Sequence, residues 1–295
     1  KRDKELVLRM YFTWFLLGIL YSFFALILNA FGIQFVFIAI VVLILGSIQY
    51  FMSDKMVLMS SGAKIINRSD DEELFRIVDE LSLKAGINAP KIAIMESNVL
   101  NAFATGRNIQ NSLVAVTTSL RKNLNNEELR AVLAHEIAHI INGDVKVLAI
   151  ANFFVMLSSF LMQMFFWNML FGGIGRNRDN NGGAGAIFIL YIVTMIVYFV
   201  GQLLVLSLTR YREFGADFTG SNLSEEPLQL ASALKKISIS SLNLPTQDLR
   251  QFKTANAFMI IPALTSDDIS RLMSTHPPVQ ERIKKLIELE KQSEY

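Results

Sequence analysis

The chain has 295 residues, of which 52% are hydrophobic and only 18% are charged, and its formal net charge is +2. This composition argues against a simply soluble protein, and so small a net charge predicts no nucleic-acid partner. Because the chain has no cysteine, disulfides and thiolate metal sites are excluded.

Four apolar segments are long enough to cross a lipid bilayer as helices, for which about 20 residues are needed. They are residues 8–28, 31–52, 147–171 and 186–208. Buried helices of a soluble core are the alternative, but they fit such long uncharged runs poorly. The first segment is also too long for a cleaved signal peptide, and a second follows at once. The first pair should turn tightly at Asn29 and Ala30, and the second pair through a flexible Gly/Asn loop at 172–185.

Positively charged residues near membrane ends favour the cytoplasmic side. Only Arg176 and Arg178 lie on the side of the second loop. The cationic residues on the other side are Lys1, Arg2, Lys4, Arg9, Lys55, Lys64, Lys146, Arg210 and Arg212. We therefore expect a multi-pass protein of the cell membrane with both termini in the cytoplasm. Its expected parts are a membrane hairpin in 1–52, a cytoplasmic part in 53–146, a second membrane hairpin in 147–208 and a second cytoplasmic part in 209–295.

The first polar part begins with an amphipathic helix. Residues 70–85 favour this helix, with Ser69 as the N-cap and Gly86 as the C-terminal stop. Its apolar face would consist of Leu74, Ile77, Val78, Leu81 and Leu83.

Two strands and a second helix complete this part. The strands are predicted at 91–95 and 112–120, with a Gly/Asn turn at 106–111 between them. The helix begins at "NNEEL", where Asn125 and Glu128 have the spacing of a capping box.

This second helix carries "HEIAH" at 135–139. Residues four apart share one helix face, so His135 and His139 can direct two imidazoles at one ion. Glu136, rotated by about 100°, would lie near a metal-bound water without binding the metal. Two nitrogen ligands, a general base and an open coordination position are typical of a zinc hydrolase. A surface helix with two histidines is the alternative, but the segment is apolar and buried histidines need partners.

A catalytic zinc needs a third protein ligand. The remaining histidine is His276, and the segment "TRYREFGADFTG" at 209–220 offers Glu213 and Asp217. One carboxylate could bind the zinc while the other accepts a hydrogen bond from a ligand histidine. The alternative is a charge network of both acids with Arg210 and Arg212 on a solvated helix, and spacing alone does not decide between the two.

Four motifs together resemble the membrane-bound zinc peptidases that include HtpX and the CAAX prenyl proteases, and they are most similar to the HtpX type. They are "NAFATG" at 101–106, "HEIAHI" at 135–140 followed by "NGD", "REFGAD" at 212–217 and "THPPVQERI" at 275–283, in the family's order over nearly the whole chain. The resemblance implies a mainly α protein, in which four transmembrane helices carry a cytoplasmic α+β zincin-like domain of the gluzincin type. CAAX prenyl proteases have more membrane helices, so a prenylated-peptide specialist is disfavoured.

The resemblance also implies residue roles. His135, His139 and Glu213 would bind one Zn²⁺ per subunit, Glu136 would be the base, and Asp217 would orient His135.

The two outer motifs leave alternatives open. The backbone of "NAFATG" could pair with an extended substrate, with Asn101 and Ala102 facing the scissile bond, or it could be a turn before the next strand. In "THPPVQERI", His276 or Arg282 could stabilise an oxyanion. The alternative is a helix start, with Thr275 as cap and Arg282 in a salt bridge.

The leading hypothesis is a zinc endopeptidase at the cytoplasmic membrane surface, with polypeptide or membrane-protein substrates. Damaged or misassembled membrane proteins as substrates, in quality control and the stress response, follow from the resemblance. Because both ligand segments adjoin the second hairpin, the metal should lie one to two helical turns above the headgroups. A non-catalytic scaffold with a structural zinc, closed by four protein ligands, is the alternative. A transporter would need ionisable residues within the apolar segments, which essentially lack them. Residues 245–265 have no assignable role.

Overall fold

The computed structural model describes residues 4–106, 108–171, 181–242 and 276–293. Two compact units are present. The polar unit comprises the described residues of Lys1–Leu8, Met52–Val147 and Thr209–Tyr295, and the apolar unit comprises those of Arg9–Phe51 and Leu148–Leu208. The candidate site described below lies within the polar unit.

Most described residues are helical. The helices are α1 (Lys4–Ala30), α2 (Phe35–Ser61), α3 (Glu72–Ala85), α4 (Thr118–Asn123), α5 (Asn126–Asn142), α6 (Asp144–Phe171), α7 (Asn181–Ser224), α8 (Pro227–Leu242) and α9 (Val279–Ser293). The strands are β1 (Lys64–Ile65), β2 (Lys91–Met95), β3 (Ala102–Gly106) and β4 (Ser112–Thr117).

Within the described residues, three helical segments are long and apolar enough to cross a membrane: Leu6–Ala30, Lys146–Phe171 and Gly185–Ser224. In α2 the described apolar stretch is Val36–Ser47, so a fourth spanning helix stays a prediction. In α7 the charge-free run ends near Leu208, and the rest of the helix belongs to the polar unit.

Both predicted hairpin links differ from the structure. Helix α1 continues through Asn29 to Ala30 and α2 begins at Phe35, so the first link lies at 31–34. Helix α7 begins at Asn181, so the end of the predicted second loop is helical. The rest of that loop, with Arg176 and Arg178, and the 245–265 segment lie outside the described residues.

Helix α3 confirms the predicted stop but not the predicted cap. The cap is Asp71 rather than Ser69, because the Asp71 carboxylate accepts a hydrogen bond from the backbone N–H of Leu74 at 3.0 Å. Gly86 ends the helix in the left-handed conformation, with φ of 68°. The prediction that Leu83 lies on the apolar face is wrong, because this side chain is 82% exposed. It is nine residues after Leu74, which is about half a turn out of phase.

The sheet has the order β1-β2-β4-β3, and β3 pairs antiparallel with β4. Strand β2 is as predicted, whereas β4 is shorter than predicted because Thr117 caps α4 by accepting a hydrogen bond from the N–H of Leu120. The segment predicted as a turn at 106–111 contains the end of β3 and a short 3₁₀ helix, Ile109–Asn111. The alternative of a turn at "NAFATG" is wrong, because most of that segment forms β3.

Helix α5 lies at the centre of the polar unit and packs against β3, β4, α3 and α8. Its side chains Leu129, Val132, Leu133 and Ile137 are fully buried. The predicted capping box is confirmed, with reciprocal hydrogen bonds between Asn125 and Glu128. This packing fixes the helix that carries both candidate histidine ligands.

Candidate metal centre

Helices α5 and α7 bring three ligand atoms together. His135 and His139 lie one turn apart on α5, and their Nε2 atoms are 3.2 Å apart. Glu213 approaches from α7, with Oε2 at 3.7 Å from Nε2 of His135 and Oε1 at 3.5 Å from Nε2 of His139. These residues could hold a metal ion between them.

The spacing of the three donors fits zinc. Ligand distances of about 2.0–2.1 Å at tetrahedral angles would place donor atoms about 3.3–3.5 Å apart, close to the separations observed here. Two imidazole nitrogens and one carboxylate are also a usual donor set of catalytic zinc. Two Nε2 atoms facing each other at 3.2 Å cannot both carry a proton, so the pair presents at least one lone pair to the space it shares with Glu213.

The other ring nitrogen of His135 faces Asp217. Oδ1 of Asp217 lies 3.0 Å from Nδ1 of His135. The guanidinium of Arg282 holds this carboxylate with two hydrogen bonds, to Oδ2 at 2.8 Å and to Oδ1 at 2.7 Å. Asp217 therefore faces His135, the histidine that the family resemblance implies it orients, and Arg282, from α9, contacts the same carboxylate.

The other ring nitrogen of His139 faces Asp144, at 2.6 Å from Oδ2. Asp144 pairs in turn with the guanidinium of Arg212 at 2.5 Å. The sequence interpretation assigned Asp144 no role. The signal was the "NGD" that follows "HEIAHI", since a glycine directly after a helix allows the chain to turn back toward it.

Glu213 lies close to Arg282 and His276. Nη1 of Arg282 is 3.1 Å from its Oε2, and Nδ1 of His276 is 3.2 Å from the same oxygen. Burial alone would raise the pKa of Glu213, but His276 and Arg282 outweigh burial and hold this pKa well below its usual range. Burial alone would lower the pKa of Arg282, but Asp217 and Glu213 raise it above its usual value. Both groups are therefore charged at neutral pH.

Glu136 follows His135 in α5 and is buried, with 3% of its surface exposed. Its negative charge contributes to the raised pKa of Arg282, so it lies within electrostatic range of the same cluster.

Asn101 and Ala102 lie where β3 begins, at the edge of the sheet formed by the described strands. The Asn101 carbonyl accepts a hydrogen bond from the N–H of Thr117, so Asn101 is directed toward β4. Because alternate residues of an antiparallel strand are directed to opposite sides, the N–H and C=O groups of Ala102 and Ala104 point away from β4. A cavity of about 70 Å³ next to this strand is lined by both Thr105 and His139.

A family model described as "Peptidase family M48" matches residues 68–290 of this chain. The chain belongs to that family. The matched region includes His135, His139, Glu213, Asp217 and Arg282. Membership of this family identifies the chain as a metalloprotease. The resemblance inferred from the four motifs is thereby confirmed.

Relatives named HtpX are similar to this M48 chain along nearly its whole length. A "Protease HtpX homolog" of Moorella thermoacetica is 44% identical over 293 residues, which are 99% of this chain and 97% of that protein. A "Protease HtpX homolog 2" of Methanosarcina mazei is 41% identical over 292 residues, covering 99% and 98% of the two chains. Together with the apolar helices, these relatives identify a membrane protease.

A solved structure supports the fold. The crystal structure of S. mikatae Ste24p matches with a TM-score of 0.57 and 16% sequence identity, covering 96% of this chain and 67% of that one. At this identity the match indicates that the two share a fold.

Proposed function

We propose that this M48 protein is an integral-membrane zinc endopeptidase that cleaves polypeptides at the cytoplasmic surface of the membrane. The observation that carries the proposal is the convergence of His135, His139 and Glu213, with donor separations of 3.2–3.7 Å, directly beside Glu136. A zinc ion held by these three residues would polarise the scissile carbonyl and lower the pKa of the attacking water.

Glu136 acts as the general base. It lies one residue after a ligand, so its carboxylate is rotated by about 100° around the helix axis from that ligand's side chain. It accepts the proton of the attacking water and then passes it to the nitrogen of the leaving amine. Its burial beside the ligands keeps bulk water from competing for this proton.

Arg282 holds the carboxylates of Asp217 and Glu213 in place rather than binding the substrate. It is fully buried and lies within hydrogen-bonding distance of both the Asp217 and the Glu213 carboxylates. Because the guanidinium of Arg282 is occupied by these two carboxylates, we favour His276 over Arg282 as the residue that stabilises the oxyanion of the tetrahedral intermediate.

The substrate backbone binds along β3. Ala102 and Ala104 direct peptide groups to the side of this strand that pairs with no other described strand, where an extended segment can add to the sheet. The cavity shared by Thr105 and His139 supports this placement, since it joins the strand to the metal centre. We propose that the scissile bond faces Asn101 and Ala102, at the start of this strand.

The excess of Lys and Arg at one end of the apolar helices supports a cytoplasmic site and cytoplasmic termini. The two compact units support the division into membrane hairpins at 1–52 and 147–208 and catalytic parts at 53–146 and 209–295. The residues of the proposed metal site lie on segments that continue directly into apolar helices. This favours membrane proteins as substrates. We propose that these are misfolded or damaged ones, so that the enzyme serves quality control.

The test uses the purified full-length protein in detergent with an unfolded membrane-protein substrate. Cleavage that is lost on chelation and restored by zinc supports the proposal. Cleavage that persists after complete removal of zinc contradicts it. A water-soluble unfolded protein, tested in parallel, shows whether the preference for membrane proteins is real.

A further inference from the structure

We propose that Asp144 and Arg212 are a positioning pair for His139. In this inference Asp144 fixes the imidazole through its Nδ1 atom, so that Nε2 is presented to the metal, and Arg212 holds Asp144 in place. The inference rests on the proposed metal site and assigns these two residues a role in it.

The position of Asp144 follows from the end of α5. Gly143 ends this helix in the left-handed conformation, with φ of 72°. The chain turns there, and Asp144, as the first residue of α6, returns toward the last turn of α5. Its Oδ2 then lies 2.6 Å from Nδ1 of His139. Asp144 is 4% exposed, so solvent does not compete strongly for this contact.

Arg212 completes the arrangement from α7. Its Nη2 lies 2.5 Å from Oδ1 of Asp144, and its Nη1 donates a hydrogen bond to the backbone carbonyl of the same residue. Oδ1 of Asp144 therefore contacts Arg212, while Oδ2 contacts His139. A buried carboxylate needs such compensation, because an unpaired buried charge is strongly destabilising.

The chemical effect is on the histidine tautomer. A carboxylate at Nδ1 favours the imidazole form that carries its proton on Nδ1, and this leaves the Nε2 lone pair available to a metal. Arg212 directly precedes Glu213, so one turn of α7 supplies a ligand and also supports the carboxylate that orients another ligand.

The same pattern occurs at the other histidine, where Arg282 holds Asp217 against Nδ1 of His135. Each ligand histidine therefore ends a chain of arginine, aspartate and imidazole. The contact between Arg212 and Asp144 differs from that between Arg282 and Asp217, because it joins the first residue of α6 to α7. The packing of Asp144 against Arg212 therefore helps to orient His139.

The experiment measures zinc affinity of the full-length protein by competition with a chromophoric chelator. Asp144→Asn should weaken zinc binding by about 10- to 100-fold, as is typical of outer partners of metal ligands. Asp79→Asn, which removes an exposed carboxylate paired with Arg68, is the matched control and should retain wild-type affinity. The visible absorption of the cobalt-substituted protein should change for Asp144→Asn and not for the control.

A second variant tests whether Arg212 acts through Asp144. Arg212→Met should weaken zinc binding in the same direction, and the double variant should be no weaker than Asp144→Asn, because both changes disturb one contact. Arg212→Lys, which keeps the charge, should recover part of the affinity. If Asp144→Asn does not fold, the zinc affinities of Arg212→Met and Arg212→Lys provide the test instead. Wild-type affinity in folded Arg212→Met would then overturn the proposal.

Wild-type zinc affinity and an unchanged cobalt spectrum in folded Asp144→Asn would overturn the positioning role. Additive losses in the double variant would overturn the role of Arg212 through Asp144. His135→Ala separates these failures from failure of the metal site itself. If His135→Ala keeps wild-type zinc affinity, the proposed site is wrong and the positioning role falls with it.

Discussion

Gly220 of α7 lies directly against the backbone of His135 in α5. A Cβ atom added at Gly220 would come within 2.8 Å of both the Cα and the N of His135, closer than such atoms can approach. The two ligand-bearing helices are therefore in close backbone contact at the first histidine, and only glycine permits that approach.

Gly220→Ala should separate α5 from α7. We expect a loss of about 1–3 kcal/mol in the free energy of unfolding, as for other overpacked sites, together with weaker zinc binding. Thermal melting and chelator competition measure the two effects. Gly18→Ala is the control, because a Cβ there meets nothing within 4 Å, and it should leave both quantities unchanged or slightly improved. Identical behaviour of the two variants would contradict the close contact.

Glu136→Gln should keep zinc and lose cleavage. The amide cannot accept the proton of the attacking water, and loss of a general base typically lowers the rate by about 10²–10⁴-fold. Glu127→Gln, at an exposed position in the first turn of the same helix, should cleave as wild type does. Metal content measured on the same samples must be equal. Near wild-type cleavage by Glu136→Gln would exclude Glu136 as the base.

Arg282→Met should destabilise the protein strongly. It leaves Asp217 and Glu213 buried without their guanidinium partner, and removal of one partner from a buried ion pair costs about 3–5 kcal/mol. The change in the free energy of unfolding can be measured by denaturant titration. Lys284→Met is the control, since Lys284 is exposed on the same helix. Equal effects of the two substitutions would show that Arg282 is not the counter-ion described here.

Ala104→Pro tests the edge strand. Proline removes the N–H that points away from β4 while leaving the β3–β4 hydrogen bonds in place, and proline is tolerated on edge strands. We expect a raised KM or lowered kcat/KM with unchanged zinc content and melting temperature. Ala104→Val keeps the N–H and should restore wild-type kinetics unless the side chain itself contacts substrate. Wild-type kinetics for Ala104→Pro would argue against substrate pairing along β3.

The sequence predicted the elements whose signals are local. The capping box at Asn125 and Glu128 and the stop at Gly86 depend on neighbouring residues only, and the structure agrees with both. Helical spacing likewise predicts that His135 and His139 share a face, because that follows from the geometry of one helix.

Contacts between distant segments could not be predicted in this way. The pairing of Arg212 with Asp144 joins residues 68 positions apart, and the pairing of Arg282 with Asp217 joins residues 65 positions apart. Spacing on one helix left open which acid faces which histidine, because the answer depends on how α5, α7 and α9 pack. The sequence left open whether 101–106 pairs with a substrate or forms a turn, because the edge position of β3 depends on pairing between separate segments.

We propose above all that a catalytic zinc is held by His135, His139 and Glu213, with one coordination position open to solvent. A crystal structure of the zinc-loaded Glu136→Gln variant, with anomalous data at the zinc edge, tests it most directly. We predict one anomalous peak, with Nε2 of both histidines and a carboxylate oxygen of Glu213 at about 2.0–2.2 Å and no fourth protein ligand. A peak elsewhere, or a fourth protein ligand such as His276 that closes the site, would contradict a catalytic centre and favour a structural one.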